Sequence, residues 1–177
     1  MIVTRRGAIA VGGLLLAGRF AGPQGRAWAS GDAEIVMRGN ADGSRVWFDP
    51  TGLQVQPGAT IRWINRDPGN SHTATAYHPR MMNRPQRIPT AAEPWDSGYL
   101  LPNETFSVTL TLPGVYDFYC VPHEHAGMVG RVVVGESAAP GWSDRVETDE
   151  EPLPDVAARA FPRVEEILRR CTVHRST

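Results

Sequence analysis

Pro113-Gly-Val-Tyr-Asp-Phe-Tyr-Cys-Val-Pro-His-Glu-His-Ala-Gly-Met-Val-Gly-Arg-Val-Val-Val134 holds two short β-forming runs joined by a loop crowded with metal-binding side chains. Pro113-Gly114 is a turn signal, Val115–Cys120 is aromatic and β-branched, and Val129–Val134 is a last, heavily β-branched run. Upstream, Phe106–Leu112 alternates apolar and polar without a break, which puts Phe106, Val108, Leu110 and Leu112 on one buried face. A second Pro-Gly pair, Pro57-Gly58, joins Leu53-Gln54-Val55 to a strand over Ala59–Ile64. Short strands at this spacing, bounded by Pro, Gly and Asn, indicate an all-β antiparallel sandwich.

The loop between the last two strands offers a thiol at Cys120, an imidazole at His123 and a thioether at Met128. A soft thiolate with two nitrogens and a weak axial sulfur is the donor set of a one-electron copper site. The second nitrogen has a candidate in His72, far upstream in Asn-Ser-His-Thr. Each of these residues alone is an ordinary packing or surface residue. Together, in a β context, they make a site.

The spacing C-x2-H-x4-M after a distant His resembles the plastocyanin branch of the cupredoxins, which includes pseudoazurins and halocyanins, and the likeness runs from about Glu34 to Gly135. It implies a Greek-key β-sandwich holding one type 1 copper per chain on His72, Cys120, His123 and Met128. It also implies transfer of single electrons between a donor and an acceptor protein, with the edge of His123 as the exit. The chain departs from many relatives beside the ligands: Thr73 stands where they carry Asn, and Val121 where they carry Ser or Thr. Copper enzymes resemble two or more such domains with extra histidines, so catalysis is not expected. A copper carrier or tolerance protein using the same four ligands is the alternative.

Residues 1–29 read as an export signal. Thr4-Arg5-Arg6 precedes a short glycine-rich apolar stretch, and Ala27-Trp28-Ala29 offers a cleavage site. The arginine pair points to twin-arginine export, with the ordinary Sec route as the alternative, and either one delivers the protein to the periplasm or the cell exterior, the periplasm being the expectation. The apolar stretch is too short to span a membrane. Two cysteines in an oxidising compartment would normally suggest a disulfide, but Cys120 cannot serve both copper and Cys171. All 18 basic residues are Arg, and the formal charge of −1 becomes more negative once the signal is removed, which argues against nucleic-acid binding.

His125 does not fit the loop spacing and is expected at the surface, as are His78 and His174. The irregular stretch Tyr77–Ser97 carries Arg80, Arg84 and Arg87 and is read either as a solvated loop or as a basic face for an acidic partner. With 30–135 as the globular domain, residues 136–177 form a linker with an acidic run at Glu147–Glu151, followed by a helix in which Pro162 takes the first position. The helix would lay Val164, Ile167, Leu168 and Cys171 on the sandwich.

Overall fold

A computed structural model describes residues 31–137, 142 and 153–175. The stretch read as an export signal and the acidic run Glu147–Glu151 lie outside the described residues. Among the described residues, nine strands form two sheets. One has the order β2 (Val46–Asp49), β1 (Ala33–Gly39), β4 (Ala59–Asn65), β6 (Thr105–Leu110). The other has the order β5 (Thr75–Ala76), β7 (Gly114–Tyr119), β8 (Val129–Val134), β3 (Gly52–Val55), β9 (Thr172–Val173). Most pairings are antiparallel, as the hairpin signals require, while β1 with β4 and β3 with β8 run parallel across long connections.

The alternation read in the sequence is the alternation seen. In β4, Ala59, Ile61 and Trp63 point inward while Arg62 points out, and in β6 Phe106 and Val108 pack on the core that Leu110 completes. The core centres on aromatic rings, with Phe118 5.3 Å from Trp63 and 4.8 Å from Phe48 in edge-on contacts. Burying a side chain of this size stabilises by about 1.5–3 kcal/mol.

Every residue of β7 is buried, although only one face of a sandwich strand meets the core. Tyr116, Phe118 and Cys120 enter the space between the sheets, whereas Tyr119 faces a separate cluster with Tyr77, Val129 and Ala157. The C-terminal extension supplies that second cover. Helix α1 (Asp155–Ala160) lies on β8 and the metal loop, α2 (Val164–Arg170) buries Ile167 against Val133, and β9 pairs with β3. This is why Val129–Val134 is apolar on both faces rather than alternating.

The extension differs in detail from the single helix expected. Pro162 does not open a helix but separates two: a residue before proline is pushed into extended backbone, and Phe161 adopts ψ 132°, ending α1. α2 then starts after Arg163, and Cys171 lies beyond its last turn at φ 62° as a free, half-buried thiol. The junction is pinned by the buried carboxylate of Asp117, which Arg87 and Arg131 both grip. Their guanidinium groups lie 5.0 and 5.1 Å from the ring of Phe161, and Arg131 also donates to the Pro162 carbonyl. No helix among the described residues is long and apolar enough to cross a membrane.

Candidate metal centre

Cys120 follows β7 directly, and the connection to β8 is not open coil but a short 3-10 helix, Val121–Ala126. Pro122 suits its first turn, and Gly127 closes it at φ 75° in left-handed backbone that most side chains avoid. A Cβ on Gly127 would also stand 3.0 Å from Val156 of α1, so the extension packs directly on this loop. The backbone of Met128 links the other donors, accepting from the Cys120 N–H at 3.0 Å and donating to the His123 carbonyl at 3.1 Å. Met128 is fully buried in the same core as Cys120.

His72 comes from the segment leading into β5, which pairs with β7, and its backbone exchanges hydrogen bonds with Leu100. It lies just ahead of β5 rather than within it. Its Nδ1 is 3.1 Å from Nδ1 of His123 and 3.6 Å from Sγ of Cys120, and Sγ is 3.3 Å from Nδ1 of His123. The centre of that triangle is about 1.9 Å from each donor, close to the ~2.0–2.3 Å at which nitrogen and sulfur bind a borderline-soft metal ion. The residues present therefore fit the metal their chemistry calls for. Among the described residues they are the one such group of His, Cys, Asp and Glu side chains.

Electrostatics keep the site ready for a cation. Burial lowers the pKa of His72 against the pull of Asp67, and burial and then the neighbouring His72 lower that of His123, so both rings are held neutral. Burial pushes the Cys120 thiol up to about 11, opposed by the Thr73 N–H that donates to Sγ at 3.3 Å. A metal that binds here displaces that proton.

Thr73 ties the two ligand-bearing segments together. Its hydroxyl accepts from the Val121 N–H at 2.9 Å and pairs with Thr75 at 2.9 Å, and Thr75 in turn donates to Asp96. Two buried carboxylates were not legible as site residues. Asp67 holds His72 through Nε2 at 2.9 Å, which fixes the ring with Nδ1 toward Cys120. Glu124, beside His123, accepts from Tyr77 Oη at 2.9 Å and from Arg84. Nothing in the spacing marked either carboxylate.

His125 is exposed on the loop, as expected, and His123 is half-buried with Nδ1 turned inward. His174 lies against Asp49, and His78 accepts from the Arg80 N–H, both away from the donor triangle. The arginines of Tyr77–Ser97 are committed within the molecule: Arg80 to Glu93, Arg84 to Glu124 and Arg87 to Asp117. That stretch thus carries far less free positive charge than its sequence indicates. Exposed apolar side chains instead flank the metal end, with Tyr99 and Leu101 on either side of the His72 partner Leu100, and Val156 over Gly127.

Residues 35–135 match the family model of copper binding proteins of the plastocyanin/azurin family. The chain is 36% identical over 127 residues to the chloroplastic plastocyanin of Hordeum vulgare, covering 72% of each protein. It is 30% identical over 119 residues to the pseudoazurin of Paracoccus pantotrophus, covering 67% of this chain and 72% of the relative. A solved pseudoazurin from Sinorhizobium is 32% identical with a TM-score of 0.48, over 61% of this chain and 76% of that one. With the family match running from β1 through β8 and taking in the donor triangle, the chain belongs to the plastocyanin/azurin family of copper-binding proteins.

Proposed function

We propose that this is an exported, periplasmic type 1 copper protein that carries single electrons between two redox proteins, with His72, Cys120 and His123 as the strong ligands and Met128 as the weak axial one. Membership of the plastocyanin/azurin family supports copper and electron transfer, and the export signal in residues 1–29 supports the compartment. The observation that carries the reading is the largely buried triangle of one thiol and two imidazoles, with His72 and the ligand loop held by separate hydrogen bonds before any metal arrives. Copper bound there supplies a one-electron couple.

The protein supplies rigidity and access. Asp67 holds one ring, Thr73 and Glu124 hold the loop, and α1 backs it, so the donors keep their places when the charge at the site changes. His123 is half-buried with Nδ1 toward the other donors, and the apolar rim of Tyr99, Leu101 and Val156 gives a partner a surface to dock beside it. This favours docking at the metal end over docking on the arginine-rich stretch. Burial of Cys120 and His72 favours a retained ion over one that is handed on.

The test uses the purified holoprotein. Cys120→Ser should abolish the intense visible band while the sandwich stays folded. His123→Gly should lose colour and regain it with imidazole, and His125→Ala should stay blue. A Cys120→Ser protein that keeps its band would overturn the assignment, and Cu(I) transfer to an acceptor outpacing electron transfer would favour the carrier reading.

A further inference from the structure

We infer that Asp67 is a positioning residue that sets the copper site's preference for the oxidised ion, acting through His72. The inference rests on the copper reading above and concerns a residue outside the ligand set. It starts from a contrast among the buried carboxylates. Asp117 is gripped by Arg87 and Arg131, and Glu124 by Arg84. Asp67 is equally buried, at 1% exposure, but its side-chain partners are the Gly69 N–H, the Asn70 amide and His72, none of them a fixed cation.

A buried charge is costly unless it is compensated. For Asp67 the remaining source of positive charge would be an ion held by His72 Nδ1 with Cys120 and His123. The site is built for this arrangement. Oδ2 sits 2.9 Å from His72 Nε2, Oδ1 accepts from the Gly69 N–H at 2.9 Å, and the Asp67 N–H donates to the Asn65 amide oxygen at 2.9 Å. Strand β1 makes room with Gly39, where a Cβ would stand 2.0 Å from Oδ2. The gap in the strand is the space the carboxylate fills.

A fixed negative charge hydrogen-bonded to a ligand imidazole raises the electron density at Nδ1 and attracts a divalent ion more than a monovalent one. Asp67 therefore favours Cu(II) over Cu(I) and lowers the reduction potential. The Oδ2 to Nε2 bond also allows only one ring orientation, with Nδ1 toward Cys120.

Asp67→Asn keeps the size and one acceptor oxygen but removes the charge. The expected result is about a tenfold shift of the affinity ratio toward Cu(I), read as a potential raised by about 59 mV for one electron, with the blue band retained. Redox titration gives the potential, competition with a Cu(I) chelator gives the reduced-state affinity, and melting of the apoprotein reports stability separately. Asn70→Ala removes a neighbouring hydrogen bond but leaves the charge, so it should destabilise without an equal shift. Gly39→Ala, which pushes the carboxylate off His72, should raise the potential too and serves if Asp67→Asn does not fold. A potential unmoved by either variant, or moved as much by Asn70→Ala, overturns the role of Asp67. A wild-type protein with no blue band overturns the copper reading itself.

Discussion

Replacing Glu124 with Gln tests whether the metal loop is locked from behind. Glu124 is fully buried within the loop, where it accepts one hydrogen bond from Tyr77 and one, charge-assisted, from Arg84. Breaking a fully buried ion pair from one side costs about 3–5 kcal/mol. Here the Arg84 side chain is 26% exposed and can recover some hydration, while Gln still accepts from Tyr77, so about 2 kcal/mol is the reasoned loss. At about 3 °C per kcal/mol for a domain of this size, the apoprotein should melt about 6 °C lower. The assay is thermal unfolding of Glu124→Gln, Arg84→Met and the double variant. Their coupling energy should exceed about 1 kcal/mol, because the two groups act on each other. Coupling below about 0.5 kcal/mol would refute the lock and leave Glu124 as a filler of space.

Thr73→Val should cost about 1–2 kcal/mol and broaden the visible band, because the Val121 N–H loses its acceptor while the Thr73 N–H to Cys120 survives; denaturant melts and absorption spectra check both. Apparent copper affinity of the apoprotein, measured against a metal buffer, should rise about tenfold per pH unit from pH 7 toward the Cys120 value of about 11, since each ion must displace the thiol proton; a flat profile would count against the thiolate. Apoprotein stability should fall as pH drops below about 6.5. The lowered values of His72 and His123 mean that the unfolded chain binds more protons there, and stability rises with pH wherever that holds; melts from pH 5 to 8 report the slope. Ending the chain after Gly135 should lower the melting temperature and also shift the copper spectrum, because Val156 rests on Gly127; an unchanged spectrum would show that α1 adds only bulk stability.

Much of the site was legible because its chemistry is local. Cys120, His123 and Met128 share one loop whose spacing is set by a single connection between two strands, and donor softness names the metal. The strands were legible for the same reason: Phe106–Leu112 and Ala59–Ile64 show a two-residue period that only a half-buried strand requires. His72 could be nominated as the missing nitrogen, and the surface place of His125 followed from spacing.

What depended on the tertiary structure is where distant chain segments meet. Asp67 and Glu124 look like ordinary surface acids in sequence; they are buried because Gly39 leaves a gap in one case and Arg84 reaches across in the other. The arginines of Tyr77–Ser97 read as free positive charge, yet each meets a carboxylate, two of them buried and remote in sequence. The extension read as one helix on the sandwich, but Pro162 divides it, and its first half covers the copper loop. Residue type and spacing determine which donors a short loop can offer. Burial, charge compensation and orientation depend on contacts between segments far apart in the chain, and those exist only once the sheets have closed on each other.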